Sequence, residues 1–310
     1  VDHGHSESLL RNILPLQARG AFTTTFSEVR NRADLVLFVG TDGSAWPRLH
    51  ERLLSAERTL TGLTERKRRL AYLGEKLAPP KRAGTMHIKA RRRALTDIIG
   101  ALGRLCRGET LPERRVGGVA VKDLQPLAEA LTRADYACIA WGASKLDYPG
   151  ADLTVEALIA LIRALNVDGR AAGLQLGGDA GSTTAINVCT WQTGYPTRFS
   201  YAGGAPDYQP HSLGADTLVA TRGVDALVWI NAYPGEMKPP AGDVPLIAFS
   251  APGERWRRRP DVEIPVGVPG VHHTGTAFRA DSAVSLPLQA PITSDLLTTA
   301  AAIARLRDCL

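Results

Sequence analysis

One short pattern recurs three times along the chain and constrains its fold more than any other feature. Each copy places an acidic residue before a run of apolar and β-branched residues, and ends the run at Gly or Asn beside small polar residues. The copies are residues 32–42 (RADLVLFVGTD), 133–144 (RADYACIAWGAS) and 223–235 (GVDALVWINAYPG). An unbroken apolar run is typical of a strand covered on both faces, as in a parallel sheet between helix layers. The pattern therefore predicts an α/β fold with mainly parallel sheets.

The segments between the copies supply the helical crossovers that parallel strands require. Residues 151–165 give the strongest helical periodicity, with their apolar side chains on one face. Asp152 or Thr154 is expected to cap the start of this helix, and Gly169 is expected to end it. An earlier amphipathic stretch is expected to be limited by Pro15.

A chain of 310 residues is long enough for two domains of roughly 100 to 200 residues each. Turn-forming residues near 202–212 indicate the boundary, so we expect a first domain at 1–205 and a second, smaller one at 206–310. The first domain is expected to carry a basic helical insertion at about 56–108.

The composition is that of an ordinary globular protein, with 44% hydrophobic and 22% charged residues. No run of eighteen apolar residues is present, so no membrane span is expected. The four cysteines lie far apart and form no CxxC pair. This pattern favours a reducing, cytoplasmic compartment without a disulfide framework or a cysteine-rich metal site.

The formal net charge of +6 is concentrated, above all in residues 65–93. A solvated face or a contact with a partner chain is the first interpretation of this segment. An acidic small molecule is the second, because clustered Lys and Arg attract carboxylates and phosphates. Nucleic acid is the third, because stacking on bases needs aromatic residues and the segment supplies only Tyr72.

A Gly-rich stretch at residues 177–187 has the chemistry of a ligand loop. Gly177, Gly178 and Gly181 allow a bound group to approach the backbone, and Asn187 offers hydrogen bonds. The spacing matches neither a dinucleotide-binding nor a P-loop motif. A tight loop that packs beneath the neighbouring aromatic residues explains the stretch equally well.

Other candidate constellations are weaker. His272 and His273 are adjacent, so on a strand they point to opposite faces and suit packing better than a joint metal site. Arg279 and Asp281 suit an exposed salt bridge of little energetic value. No GxSxG elbow for a nucleophilic serine is present.

Three stretches in order carry a resemblance to a known family: NRADLVLFVG before a helix that begins at Pro-Arg, then TWQTGYP, then GVHHTGTAFRADSAVSLPL. Together they resemble the B subunit of formylmethanofuran dehydrogenase, in the molybdopterin oxidoreductase superfamily. The resemblance covers essentially the whole chain. It implies two Rossmann-like αβα domains with mainly parallel sheets, as in the central domains of that superfamily.

The chain departs from this family at the metal site. In the family a Cys that binds tungsten or molybdenum precedes a His-Gly pair, whereas here Asp2 precedes His3 and Gly4. A thiolate is the soft ligand that suits this chemistry, and the cysteines that bind an iron–sulfur cluster are also missing. The chain therefore most resembles the non-catalytic B subunit of the bacterial formyltransferase/hydrolase complex.

That resemblance implies a structural role in tetrahydromethanopterin- and methanofuran-dependent one-carbon metabolism of methylotrophs, from formaldehyde to formate. Asp2 and His3 are then remnants of a catalytic site, Gly177, Gly178, Gly181 and Asn187 are remnants of a cofactor loop, and no metal, pterin or iron–sulfur cluster is retained. The implied partners are an amidohydrolase-like chain, a formyltransferase chain and a chain like the C subunit of the same complex, without nucleic acid or membrane.

Two alternatives stay open. In the first, the chain is still an active molybdenum- or tungsten-pterin oxidoreductase subunit, with Asp2 as the metal ligand and residues 177–187 around the cofactor. A nucleotide-binding α/β protein outside the superfamily is the weaker alternative.

Overall fold

The chain forms two compact units in a computed structural model, which describes residues 1–54, 68–177, 181–233, 235 and 237–309. Ser8–Gly177 form one unit, called here the five-stranded unit. Val1–Glu7 and Gly178–Leu310 form the other, called here the three-stranded unit. This division falls earlier in the chain than the domain boundary predicted near residue 205, which stays a prediction.

The chain forms helices and strands along its whole described length. The helices are α1 (Ser6–Arg19), α2 (Phe26–Arg32), α3 (Leu95–Cys106), α4 (Val121–Thr132), α5 (Ala151–Leu165), α6 (Ser182–Thr193), α7 (Ala215–Ala220) and α8 (Thr299–Arg307). The strands up to residue 175 are β1 (Leu35–Val39), β2 (Arg69–Gly74), β3 (Met86–Lys89), β4 (Arg115–Val116), β5 (Val119–Ala120), β6 (Ala137–Trp141) and β7 (Ala171–Gln175). The later strands are β8 (Phe199–Ser200), β9 (Asp207–Tyr208), β10 (Leu227–Asn231), β11 (Leu246–Ser250), β12 (Val262–Pro265), β13 (Gly275–Phe278) and β14 (Ser285–Leu288).

The five-stranded unit is built on a parallel sheet with the strand order β3-β2-β1-β6-β7. Every residue of β1 and β6 is buried. Leu37 and Ile139 join an apolar cluster with α3, α4 and α5 on one face, and Phe38 and Cys138 join a second cluster on the other face. The first two copies of the sequence pattern are therefore strands covered on both faces, which confirms the prediction.

The three-stranded unit is built on a second parallel sheet with the strand order β10-β11-β12. Its register aligns Val228 with Ile247 and Ile247 with Val262, so these side chains share one face. A small apolar cluster contains Phe249, Val266 and Ala302, the last of which comes from α8. The prediction of an α/β fold with mainly parallel sheets is thus confirmed in both units.

The third copy of the pattern forms β10, but it is not covered on both faces. Val228 and Ile230 are 53% and 51% exposed, and Val262 on the same face is 49% exposed. The expectation of a covered strand was wrong here. β10 lies at the edge of a small sheet, and its side chains alternate between partly buried and exposed positions.

The helical insertion predicted at about 56–108 is corrected by the structure. Residues 69–74 form β2, an interior strand of the five-stranded sheet, and residues 86–89 form β3 at its edge. The apolar run of β2 is short and follows a dense run of Lys and Arg. The sequence therefore resembled a charged helix more than a strand. Only α3 is helical as predicted, and residues 55–67 lie outside the described residues.

The helix ends also differ from the expected ones. α1 continues to Arg19 through Pro15, since a proline removes only its own N–H donor from the helix and Gly20 still donates to the carbonyl of Leu16. α5 follows Gly150 without a side-chain cap, because the Thr154 hydroxyl bonds to Thr96 and Tyr148 instead. No helix among the described residues is both long enough and apolar enough to cross a bilayer.

Candidate functional site

Asp2 lies at the centre of a buried polar cluster in the three-stranded unit. One carboxylate oxygen accepts hydrogen bonds from the backbone N–H of His3 (2.9 Å), from the Thr197 hydroxyl (3.1 Å) and from the Ser6 hydroxyl. The other oxygen accepts from the backbone N–H of Ala215 at 2.8 Å, at the start of α7. A carboxylate oxygen offers about two lone-pair positions, so the first oxygen is fully occupied by its three donors, whereas the second accepts a single hydrogen bond.

Arg198 adds a charge to this cluster. Its Nε lies 3.5 Å from Asp2, as an ion pair without hydrogen-bond geometry, and its Nη2 lies 2.5 Å from Glu7. The side chains of Arg198 and Asp2 are only 10% and 13% exposed. Asp2 therefore joins the first residues of the chain to the start of α7 and to the segment after α6.

The His3 ring is also hydrogen-bonded within the chain. Its Nδ1 accepts a hydrogen bond of 3.1 Å from the backbone N–H of His5, so the neutral ring carries its proton on Nε2. Burial and the neighbouring His5 lower the pKa of His3, against Asp2, which raises it. Since burial and His5 both disfavour the imidazolium, His3 is neutral near pH 7.

A cavity of about 510 Å³ adjoins Asp2 and His3 within the three-stranded unit. Gly4 is at its wall, and a Cβ at this position would meet the methyl group of Met237. Lys238 also lines the cavity, and its ammonium group lies 2.7 Å from the carboxylate of Glu254, whose side chain is 4% exposed. Lys238 is thus already paired within the chain.

The Gly-rich residues divide between the two units of the chain. Gly177 belongs to the five-stranded unit, where its carbonyl accepts from the Trp46 indole N–H at 3.4 Å. Gly178 lies outside the described residues. Gly181 precedes α6 with a left-handed φ of 74°, and neither it nor Asn187 lines the cavity beside Asp2.

The predicted loop at 177–187 is corrected in its second half, which is helical. Ser182–Thr193 form α6, and Asn187 donates to the Thr183 carbonyl within that helix at 2.9 Å. The Thr184 hydroxyl accepts from the backbone N–H of Phe278 and so ties α6 to β13. Glycine with a left-handed φ suits the residue before this helix, so Gly181 marks the start of α6 rather than the body of a loop.

The donor set at the Asp2 cavity does not suit a molybdenum or tungsten ion. Among the described residues, no group of three or more His, Cys, Asp and Glu side chains could hold a metal ion. No cysteine lines the cavity, and the Asp2 oxygens and the His3 Nδ1 are held by donors of the chain itself. Burial also raises the pKa of the Cys106, Cys138 and Cys189 thiols, which favours the protonated form over the thiolate that binds metal.

Ser6, Thr197 and Arg198 were missed in the sequence. All three are buried polar residues, and each contacts Asp2. Thr197 and Arg198 directly follow the TWQTGYP stretch, which carried the family resemblance. That stretch was the signal available, but its separation from Asp2 along the chain hid the contact.

The remaining candidates have structural roles. His272 Nδ1 accepts from the Val268 N–H at 3.0 Å, and both ring nitrogens of His273 lie within hydrogen-bond distance of backbone carbonyls. Arg279 and Asp281 form a bidentate pair at 2.8 and 2.6 Å, and Asp281 is only 1% exposed. The expectation of an exposed pair was wrong, because the Asp281 carboxylate is buried and also accepts from the backbone N–H of Ala283.

The basic segment divides into buried and exposed parts. Arg68 is 2% exposed and donates to the carbonyls of Ala33 (2.8 Å) and Leu53 (2.7 Å), and also to those of Val29 and Arg30. It therefore caps the end of α2 rather than facing a ligand. Arg91 and Arg93 are exposed at the wall of a separate surface groove.

Two groups of known proteins are similar to this chain over nearly all of its length. The B subunit of the formyltransferase/hydrolase complex Fhc of Methylorubrum extorquens is 27% identical over 323 residues, which cover 100% of this chain and 83% of that protein. The B subunit of tungsten-containing formylmethanofuran dehydrogenase 2 of Methanocaldococcus jannaschii is 24% identical over 296 residues, and these cover 93% of this chain. The alignment spans 66% of the length of the M. jannaschii protein. No family model matches the chain.

A solved structure has the same fold. In the crystal structure of the formyltransferase/hydrolase complex (FhcABCD) from M. extorquens with methylofuran, one chain superposes with a TM-score of 0.83 and 25% sequence identity. The superposition covers 99% of this chain and 83% of that one. The resemblance predicted from the sequence is thus confirmed by sequence and by fold.

Proposed function

We propose that this chain is a structural, non-catalytic component of a formyltransferase/hydrolase complex in tetrahydromethanopterin- and methanofuran-dependent one-carbon metabolism. It contributes a pterin-enzyme fold as a scaffold and leaves the chemistry of formyl transfer and hydrolysis to partner chains. Its own site holds no pterin, metal or iron–sulfur cluster.

The hydrogen bonds that the Asp2 carboxylate accepts are the observation on which this proposal depends. Asp2 occupies the sequence position where the resemblance places a metal-binding Cys, and its carboxylate accepts from four donors of the chain. A metal ion on the oxygen with three donors would displace them, and each buried donor left without an acceptor costs about 1–3 kcal/mol. His3 has lost its free Nδ1 in the same way.

The relatives support a role within an assembly. The M. extorquens protein is named as part of a complex, and the superposed structure is a complex of several kinds of chain with methylofuran. By this likeness, the partners of the present chain are an amidohydrolase-like chain, a formyltransferase chain and a chain like the C subunit of that complex. The carrier is a furan of the methanofuran type.

The test is native mass spectrometry of the tagged chain purified from its own source with the chains that accompany it. The proposal predicts near-stoichiometric hydrolase-like and formyltransferase-like chains. Recovery with iron–sulfur redox proteins, together with dye-linked oxidation of a formyl carrier, would contradict it and restore the oxidoreductase alternative.

A further inference from the structure

The cavity beside Asp2 follows the edge of a strand. All six residues from Ala226 to Asn231 line it, which includes the whole of β10. Side chains of a strand alternate between the two faces, so a cavity above one face would be lined by every second residue. A cavity lined by six consecutive residues runs along the edge instead. We call this feature the β10 groove.

The backbone along this edge has free hydrogen-bonding groups. Leu227 donates to the Pro245 carbonyl, and the Asn231 carbonyl accepts from Ala251. In a parallel ladder alternate residues bond to the same neighbour, so Leu227, Trp229 and Asn231 face β11. The N–H and C=O groups of Val228 and Ile230 therefore face the groove, and no strand pairs with them among the described residues.

The side chains of the same two residues are half exposed, at 53% for Val228 and 51% for Ile230. A parallel sheet normally has both faces covered. An edge strand without Lys, Pro or a bulge is a ready template for another strand, and β10 (LVWIN) has none of these. The β10 edge therefore lacks the features that prevent pairing, and another strand can pair with it.

The charges of the groove indicate the occupant. Arg198 is paired with Glu7, Lys238 is paired with Glu254, and His3 is neutral. Asp216 also lines the groove, is exposed, and has no ion pair within the part of the chain that the structure describes. Among the side chains of the lining, the uncompensated charge is thus negative.

We propose that the β10 groove binds an extended segment of a partner polypeptide, which adds a strand to the three-stranded sheet. The segment has apolar residues at alternate positions, against Val228 and Ile230, and a Lys or Arg against Asp216. Main-chain hydrogen bonds supply the affinity and the alternating side chains supply the selectivity. This inference rests on the proposed function, because the partner is another chain of the complex.

Amide hydrogen exchange of the purified assembly, resolved to single residues by electron-transfer fragmentation, tests the inference. The Trp229 amide, which bonds to β11, is the internal reference. We expect the Val228 and Ile230 amides to exchange within about tenfold of this reference, because both are bonded to the added strand. Exchange of these two amides at the rate of exposed amides, in an intact assembly, would overturn the inference and leave the proposed function in place.

Two variants at one position separate backbone pairing from side-chain contact. Val228→Pro removes an N–H that faces the groove while it leaves the β10–β11 ladder intact, as an edge proline can. We expect it to weaken assembly at least tenfold, whereas Val228→Ala, which keeps the N–H, weakens assembly less. Slow exchange of the Phe249 amide in the Val228→Pro variant would show that this variant is folded. Equal assembly by both variants would overturn strand addition, and an absence of partner chains from the wild-type preparation would overturn both the inference and the proposed function.

Discussion

The two parallel sheets of this protein use the same sequence pattern and bury it differently. β1 and β6 are covered on both faces, and each of their residues is at most 1% exposed. β10 follows the same pattern of an acidic residue and an apolar run, yet Val228 and Ile230 are about half exposed. The local pattern therefore specifies a strand, whereas the cover of that strand depends on what packs against it.

The five-stranded sheet is covered on both faces by its own chain, whereas one face of β10 in the three-stranded sheet is not covered. The five-stranded sheet is enclosed by α3, α4 and α5 on one face and by a second apolar cluster on the other. The three-stranded sheet has a buried cluster with Phe249, Val266 and Ala302 at its centre. Burying a Val or Ile side chain contributes roughly 1.5–3 kcal/mol, so the proposed added strand would stabilise the unit by covering β10.

The largest expected contrast is between equivalent truncations in the two sheets. Ile139→Ala in β6 removes a fully buried side chain and should lower the free energy of unfolding by about 2–5 kcal/mol. Ile230→Ala in β10 should cost less than about 1 kcal/mol in the isolated chain, since half of the side chain already meets solvent. Urea denaturation measures both. Equal losses of unfolding free energy in the two variants would contradict the difference in burial between the two sheets.

The next contrast concerns Asp2, which stabilises the three-stranded unit. Asp2→Ala should lower the free energy of unfolding by about 2–4 kcal/mol, because it leaves the backbone N–H of Ala215 and one of the two hydroxyls of Ser6 and Thr197 without an acceptor. Asp2→Asn keeps one carbonyl oxygen and should cost less. Denaturation of both variants beside Asp147→Ala, an exposed carboxylate, supplies the control. A change for Asp2→Ala no larger than that of the control would show that Asp2 is not a structural residue.

A smaller effect is expected from pH. Burial lowers the pKa of His3, so below the ordinary histidine pKa of about 6.5 the unfolded chain binds a proton that the folded chain does not. The stability due to neutral His3 is therefore fully present above about pH 6.5 and is lost as the pH falls toward the lower folded-state pKa. His3→Gln should flatten this dependence between pH 7 and pH 5, and His211→Gln, at an exposed position, should not. Parallel curves for the wild type and His3→Gln would contradict the buried, neutral state.

The smallest effect is expected at the exposed part of the basic segment. Arg91→Gln and Arg93→Gln should change the free energy of unfolding by less than about 0.5 kcal/mol, because both side chains lie at the surface. Arg68→Gln, by contrast, removes a buried cap of α2 and should destabilise the five-stranded unit clearly. Thermal denaturation of the three variants compares them directly. Similar melting temperatures for all three would show that Arg68 does not have the structural role assigned to it.

Much of the fold was accessible from the sequence because strand and helix periodicities are local. The strands of the three pattern copies and α5 were predicted from spacing alone. β2 was not, since four apolar residues behind a run of Lys and Arg resemble a charged helix more than an interior strand. The exposure of β10 was also inaccessible, because periodicity says nothing about which strand ends at an edge.

The sequence singled out Asp2 and His3 but did not show which groups of the chain bind them. The Asp2–His3–Gly4 stretch could be found from the resemblance, and the departure at Asp2 already spoke against metal binding. The donors that hold Asp2 come from Thr197 and Ala215, far along the chain, and no local pattern joins them. The Gly-rich stretch misled for the opposite reason, since glycine before a helix and glycine around a ligand look alike in sequence.

The most direct test of this account is the molybdenum, tungsten and pterin content of the chain purified with its partners. An Asp2 carboxylate held by four donors predicts an assembly with hydrolase-like and formyltransferase-like chains and without stoichiometric metal or pterin in this chain. Metal and pterin at one equivalent per chain, lost in the Asp2→Ala variant, would contradict the account and make Asp2 a ligand.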